Sequence, residues 1–262
     1  MVNHLFKLRK TRYPTFASAA APARPQPSPT PLPSNAEVFM ATVTLDALDL
    51  AALLCSRVCH DVISPVGAIV NGLEVLEDEN DPAMRDFAFD LIRKSSRQAS
   101  ARLQFARLAF GAAGSAGASI DLGDAEQVAR GLFQDDKIAL TWSSPRALLP
   151  KNKVKLLLNL LVTAISTIPR GGVIDVAVTG AAGMGDAPTV AFTLKSKGLN
   201  ARIPPHVEAL LAGAPESGIV DAHGVQTYYA GLVARAAGMR VSLSIEGDEV
   251  IIRAASDEEG AA

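Results

Sequence analysis

The residues whose side chains could take part in a reaction cluster in one stretch, at positions 59–69. Its sequence is Cys-His-Asp-Val-Ile-Ser-Pro-Val-Gly-Ala-Ile. His60 lies in it, with Asp61 directly after. A neutral imidazole nitrogen is a nucleophile near neutral pH, since its reference pKa is about 6.5. Asp61 is close enough along a helix to accept a hydrogen bond from His60 Nδ1, which leaves Nε2 as the nucleophile. We predict that His60 and Asp61 form the catalytic pair.

A long helix is expected to carry this pair, because apolar residues around it recur at alternating steps of three and four. This predicted seam consists of Leu45, Leu48, Ala52, Cys55, Cys59, Val62, Val66, Ile69, Leu73 and Leu76. At about 100° per residue, a second stripe of polar or small residues is centred on His60. Its members are Ser56, Arg57, His60, Ser64, Gly67, Asn71, Glu74 and Asp78. The pattern predicts an imidazole exposed to solvent, turned away from the seam.

Four members of the polar stripe are candidate partner contacts: Arg57, Ser64, Gly67 and Asn71. Arg57 lies one turn before His60, where a guanidinium can pair with a phosphate or with an acidic residue of a partner. Gly67 costs helix stability relative to alanine, and in return it leaves room for a partner's loop.

A second helix follows, because Asp81 can cap it, Pro82 suits its first position, and apolar residues continue to about residue 113. Two helices bury little surface by themselves. The sequence therefore predicts an antiparallel hairpin at 41–113 that dimerises into a four-helix bundle with His60 on the outside.

These residues resemble a known family. The run His60-Asp61-x-x-x-Pro65-Val66-x-Ala68-Ile69 is similar to the H-box of histidine kinase dimerisation domains. The hairpin and the segment at 102–111 resemble the ChpT-type histidine phosphotransferases of alphaproteobacterial cell-cycle phosphorelays, over residues 44–253.

The resemblance implies a homodimer that relays phosphate between receiver-domain aspartates through a phosphohistidine at His60. The donor would be a CckA-like hybrid histidine kinase, and the acceptors would be CtrA-like and CpdR-like response regulators. It also implies that the receiver domain supplies Mg²⁺, and that this chain holds no cofactor or metal of its own.

The remainder of the chain predicts an α/β sandwich at 120–255, so the fold class is α+β. We expect a strand near Ile120, a helix at 124–133, a strand at 137–142 and a helix at 150–168. Strands at 173–178 and 189–194, helices at 204–211 and Val225–Ala236, and a hairpin of strands at 240–245 and 250–253 follow.

This order of elements resembles the ATP-binding domain of histidine kinases, but three parts of the nucleotide site depart from the family's pattern. Asn159 is present, whereas Thr163 stands where the family has its Mg²⁺-binding asparagine. Ser196 replaces the aspartate that reads adenine, and the lid at 221–225 has a single glycine. We therefore expect no ATP binding and no autophosphorylation.

Two alternatives stay open from the sequence: an ATP-dependent sensor histidine kinase or phosphatase with a divergent nucleotide site, and a phosphorylation-independent dimeric scaffold.

The sandwich is expected to contact the receiver domain through Val225–Ala236, with Tyr228 and Tyr229, or through 204–211. The direction of net phosphate flux and higher oligomers also stay open.

Composition sets limits on function. The net charge of −2 gives no electrostatic footprint for nucleic acid or an anionic membrane. We expect no membrane span, because no run of the sequence reaches the roughly 18 apolar residues that one requires. Cys55 and Cys59 lie on the predicted seam, so we expect small buried hydrophobes in a reducing compartment. The sequence predicts a cytoplasmic protein.

Three segments are not expected to form a hydrophobic core. Residues 1–40 are rich in proline and are expected to form a disordered tail, and Met40 is a second possible translation start. A Gly/Ala/Ser linker is expected at 114–119 and an acidic, disordered tail at 256–262.

Overall fold

A computed structural model describes residues 42–78, 81–111, 118–133, 137–180 and 190–256, without the side chain of Asp78. The predicted tail at 1–40 lies outside the described residues, as do most of the linker at 114–119 and of the acidic tail at 256–262. The exceptions are Ala118, Ser119, which begins a strand, and Ser256, which ends one. All described elements belong to one compact unit, Met40–Ala262.

The helical hairpin consists of α1 (Ala47–Asp78) and α2 (Pro82–Ala109). Asp46 caps α1, since its Oδ1 accepts hydrogen bonds from the backbone N–H groups of Leu48 at 2.7 Å and Asp49 at 2.8 Å. Asp81 caps α2 by accepting from Ala83 N–H at 3.0 Å, and Pro82 takes the first turn as predicted. These local signals explain why the helices of the hairpin could be predicted from the sequence.

The face of α1 that packs on α2 is not the predicted seam. Pro65 and Gly72 are buried on this face, and Val58 and Ala68 on the same face are half-buried. Gly72 permits this packing, because a Cβ there would lie 2.7 Å from Ile92 Cγ1. The helix therefore has two apolar faces, of which only one is covered within the chain.

The uncovered face of α1 overlaps the predicted seam at three positions. It carries exposed apolar residues at steps of four and three, and we call it the exposed apolar stripe: Cys59, Ile63, Val66, Val70 and Leu73. The prediction that Cys55 and Cys59 are buried is wrong within this chain, since both thiols are free and exposed. The prediction failed because heptad spacing does not tell which of two apolar faces packs inside the chain.

The C-terminal part contains a five-stranded sheet with two helices, α4 and α6, against it. Its elements are β1 (Ser119–Asp121), α3 (Leu122–Phe133), β2 (Ile138–Ser143), β3 (Leu148–Pro150), α4 (Lys151–Ser166), β4 (Gly172–Thr179), β5 (Ala191–Lys197), α5 (His206–Ala212), α6 (Val225–Ala236), β6 (Met239–Glu246) and β7 (Glu249–Ser256). The mixed α+β fold class is confirmed.

The sheet has the strand order β2-β4-β5-β7-β6, in which β2 and β4 are parallel and the other neighbours antiparallel. β1 and β3 pair separately as a two-stranded antiparallel sheet. β4 alternates in burial, with Ile174, Val176 and Val178 in the core. Such alternation is typical of a sheet covered by helices on one face only.

The main core extends from the sheet into the hairpin. It includes α4 along most of its length, and it reaches Phe105 and Ala109 at the end of α2. A smaller core joins Tyr228 and Leu210 of the sandwich to Leu50 and Leu54 of α1. The hairpin and the sandwich consequently share buried surface at two places.

Candidate functional site

His60 lies on the solvent side of α1, where its side chain is 78% exposed. Ser64 and Asn71, further along the same face, are exposed as well. Gly67 lies between them and is half-buried, and a Cβ at this position would meet no atom within 4 Å. The part of the predicted polar stripe from His60 to Asn71 is thus accessible to solvent at His60, Ser64 and Asn71.

Asp61 is held beside the imidazole by an ion pair. Its Oδ2 accepts from Arg57 Nε at 3.0 Å, while its Oδ1 lies 3.5 Å from His60 Nδ1. The second distance is longer than a normal hydrogen bond. Arg57, which was expected to face a partner, here makes an i,i+4 pair with Asp61, and its side chain is 27% exposed. The carboxylate therefore has a fixed position on the Nδ1 side of the ring.

Arg102 of α2 is a site residue that the sequence analysis did not assign. Its Nη1 donates a hydrogen bond to the backbone carbonyl of Asp61, and the side chain is half-buried. The available signal was Pro65, which removes the N–H group that would otherwise bond to this carbonyl.

A groove next to this cluster separates the hairpin from the sandwich. It has a volume of about 230 Å³. Arg57, Asp61 and Arg102 line its hairpin side, and residues of α3, α4 and α6, among them Phe133 and Gln226, line the other. The groove combines two cations with an apolar wall.

The asparagine that resembles part of a nucleotide site has a structural role here. Asn159 is fully buried, and its Nδ2 donates to Ala109 O at 3.2 Å and to Lys155 O at 2.8 Å. Its Oδ1 accepts from Gln226 Nε2 at 3.4 Å. The amide thereby connects α4 with the end of α2 and with α6.

The other two positions of that site are also engaged by protein atoms. Ser196 is fully buried on β5, and its hydroxyl donates to Ala164 O at 3.3 Å. Thr163, 2% exposed, donates to Asn159 O at 3.3 Å.

The segment resembling the lid forms a turn closed by Asp221. Its Oδ1 accepts from the N–H groups of Gly224 at 2.7 Å and His223 at 3.0 Å. These bonds, that from Gly224 above all, lower the pKa of the Asp221 carboxyl below its usual value. The carboxylate thus stabilises the turn that leads into α6.

The two tyrosines of α6 have different surroundings. Tyr228 is buried, 1% exposed, and therefore cannot supply the receiver-contacting surface suggested by the sequence. Its hydroxyl donates to Val43 O at 3.0 Å and accepts from Leu45 N–H at 3.3 Å. Tyr229 is half-buried, its pKa is raised by burial, and its ring packs edge-on against Phe110 with centroids 5.7 Å apart.

Two further features concern metal ions and membranes. Within the described ranges, no group of three or more His, Cys, Asp or Glu residues could hold a metal ion. Among the described helices, one, α1 over Ala47–Glu77, is long and apolar enough by length and composition to cross a membrane, contrary to the sequence expectation. A single helix of this kind is weak evidence for a span, and the exposed apolar stripe accounts for its hydropathy.

The chain is similar to known proteins over most of its length. Residues 122–249 match the family described as histidine phosphotransferase C-terminal domain. The chain is 52% identical over 212 residues to protein phosphotransferase ChpT of Brucella abortus (strain 2308), covering 81% of this chain and 98% of that protein. A solved bacterial phosphotransferase superposes with a TM-score of 0.72 at 48% identity, over 81% of this chain and 98% of that one. The chain therefore belongs to the ChpT family of histidine phosphotransferases.

Proposed function

We propose that the chain relays a phosphoryl group from an aspartate of a hybrid histidine kinase's receiver domain to aspartates of response regulators, with His60 as the carrier. The observation that carries the proposal is the exposed His60 imidazole beside a carboxylate that Arg57 fixes at 3.0 Å. Such an imidazole needs no enclosed pocket, because the incoming domain encloses the reaction.

The transfer step follows from the chemistry of the two groups. The lone pair of His60 Nε2 attacks the phosphorus of the aspartyl phosphate in line, the N–P bond forms, and the acyl phosphate P–O bond breaks. The partner's carboxylate leaves with the electron pair. In the second half-reaction an oxygen of the acceptor aspartate attacks phosphorus, and Nε2 leaves.

Asp61 contributes electrostatically. When Nε2 bonds to phosphorus, the proton stays on Nδ1 and the ring carries positive charge. The Asp61 carboxylate, 3.5 Å from Nδ1 in the free protein, lies where it stabilises this charge and the Nδ1–H tautomer. The role proposed for Asp61 is therefore positioning and charge compensation.

The partner supplies the metal in this proposal. By resemblance to the family, the receiver domain brings Mg²⁺ and the aspartate. In this chain, Ser64 and Asn71 are exposed on the proposed docking face, the half-buried Gly67 lies between them, and Arg57 borders the adjoining groove.

The hydrogen bonds of three residues support a function without ATP. A neutral, buried Ser196 bonded to Ala164 O cannot replace a carboxylate that reads adenine. Thr163 is bonded to the helix backbone, and the Asn159 amide is committed to Ala109, Lys155 and Gln226. These residues do not fit a nucleotide or its Mg²⁺, which supports a phosphoprotein as the phosphate donor.

A homodimer completes the proposal. At about 100° per residue, the exposed apolar stripe lies about 140° around α1 from the face on α2, and His60 lies opposite the midpoint of the two. If a second copy covers the stripe, both apolar faces point into a four-helix bundle and His60 points out. The resemblance further implies CckA-like, CtrA-like and CpdR-like partners in the cytoplasm and a role in the cell cycle.

The deciding experiment mixes the protein with a phosphorylated receiver domain and measures acid-labile phosphate on this chain. We expect label on wild type and on His223→Gln, an exposed histidine serving as control, and none on His60→Gln. Labelling by ATP alone would contradict the proposal in favour of a kinase. Full transfer to His60→Gln would contradict it as well.

A further inference from the structure

The backbone directly after His60 has a hydrogen-bonding defect. In an α-helix the carbonyl of residue i accepts from the N–H of residue i+4. Pro65 occupies that position relative to Asp61 and has no N–H to donate. Nevertheless α1 runs without interruption from Ala47 to Asp78, and Pro65 is buried. The Asp61 carbonyl thus requires a partner from outside α1.

Arg102 supplies that partner from the other helix of the hairpin. Its Nη1 donates to the Asp61 carbonyl across 41 positions of sequence. A charged donor is a stronger partner than the neutral N–H that proline removes. Because α2 packs along α1, the side chain is half-buried where it makes this bond.

Asp61 is consequently hydrogen-bonded to an arginine through its side-chain carboxylate and to another through its backbone carbonyl. Arg57 holds the carboxylate at 3.0 Å, and Arg102 holds the carbonyl. The fixed residue is the one directly after His60, so the bond to α2 also fixes the backbone that carries the imidazole.

We propose that Arg102 is a positioning residue for phosphoryl transfer, which fixes the Asp61 carbonyl left free by Pro65 and thereby aims His60 and the Asp61 carboxylate. This inference rests on the proposed role of His60. In-line transfer is sensitive to placement, since a shift of about 1 Å can cost about a hundredfold in rate.

Arg102 also lines the groove beside the site, so direct contact with the receiver is the competing explanation. The two explanations differ in kinetics. Loss of a contact made equally before and during reaction raises KM, whereas loss of positioning lowers kcat.

The first test measures transfer from a phosphorylated receiver domain to the full chain over a range of receiver concentrations. For Arg102→Met we expect kcat to fall at least about tenfold with KM changed less than about threefold. Arg102→Lys, which keeps a charged donor, should recover part of kcat. Arg97→Met removes an exposed arginine of the same helix and should match wild type.

A double substitution makes the test specific. Pro65→Ala restores an N–H that can bond to the Asp61 carbonyl, so Arg102→Met should cost less than about threefold in this background. In the NMR spectrum, Arg102→Met alone should change the His60 ring nitrogen shifts, which report the tautomer, and the Pro65→Ala background should suppress that change.

Each outcome has a separate meaning. If wild type accepts no phosphate at His60, the proposed function fails. If wild type transfers but Arg102→Met changes only KM, or costs the same with Ala at position 65, the positioning inference is overturned and the proposed function stands. If Arg102→Met alone does not fold, the comparison with and without Arg102 can still be made in the Pro65→Ala background.

Discussion

Asn159 Nδ2 donates a hydrogen bond to the carbonyl of Ala109 at 3.2 Å, so a side chain of the sandwich satisfies the last residue of the hairpin's second helix. The last carbonyls of a helix lack partners within it, and this one is in a fully buried residue. The sequence pattern of α4 resembles a nucleotide-binding helix. Here its asparagine joins two parts of the fold.

Replacing Asn159 by alanine should therefore reduce stability. The change leaves Ala109 O and Gln226 without a buried partner, and we expect a loss of about 2 kcal/mol in the free energy of unfolding. Urea denaturation measures it. Asn152→Ala, on the more exposed first turn of α4, is the matched control and should change stability by less than about 0.5 kcal/mol. Equal effects of the two changes would contradict the role given to Asn159.

Ser196 is the position for testing whether the nucleotide site can be restored. A carboxylate in Ser196→Asp would be fully buried beside Ala164 O, so we expect it to cost about 3 kcal/mol or more. Ser196→Ala should cost only about 1 kcal/mol. Titration with a fluorescent ATP analogue should detect no binding to either variant. Binding of the analogue to Ser196→Asp would contradict this expectation, because it would show that the serine at position 196 alone prevents nucleotide binding.

A substitution of Gly67 tests helix stability and partner binding separately. A Cβ there meets nothing within 4 Å, so Gly67→Ala should stabilise α1 by up to about 1 kcal/mol. If a receiver loop approaches this glycine, the same change should raise the KM for the phosphorylated receiver several-fold. Thermal unfolding and transfer kinetics on one preparation measure both effects.

Two glycine controls complete that experiment. Gly131→Ala, equally open but on α3, should stabilise without changing KM. Gly72→Ala should destabilise, since its Cβ would lie 2.7 Å from Ile92 Cγ1 in the hairpin contact. An unchanged KM in Gly67→Ala would remove Gly67 from the docking face.

The sequence predicted those parts of the fold that depend on near neighbours. Asp81 and Pro82 mark the start of α2 locally, and α6 has the predicted bounds, Val225–Ala236. β3 was missed, because its three residues form a strand only through pairing with β1. His60 and Asp61 are neighbours in the chain, so their spacing alone predicts the proximity that the structure shows, 3.5 Å between Nδ1 and Oδ1.

Arg102 could not be assigned in that way. Its link to Asp61 spans 41 positions and depends on how two helices pack. Ser196 and Thr163 were recognised as departures from a pattern, but their bonds to backbone carbonyls of α4 required the tertiary structure.

Tyr228 and Tyr229 form a natural pair for testing how the start of the hairpin is attached to the sandwich. Tyr228→Phe removes the hydroxyl that bonds to Val43 O and Leu45 N–H, both just before α1, and should cost about 1–3 kcal/mol. Amide exchange of Leu45 should accelerate. Tyr229→Phe should change stability by less than about 0.5 kcal/mol. A larger loss from Tyr229→Phe would place the attachment elsewhere.

The exposed apolar stripe provides the test of the dimer. Val70 is 48% exposed in the single chain, and a second copy that covers it would exclude a charge at that place. Val70→Glu should therefore shift the mass in sedimentation equilibrium from two chains towards one. Ser100→Glu, an equal charge at an exposed position of α2, should leave the mass unchanged. Because His60 faces away from the stripe, Val70→Glu that stays folded should still accept phosphate. An unaltered dimer in Val70→Glu would mean that the two copies meet on another surface.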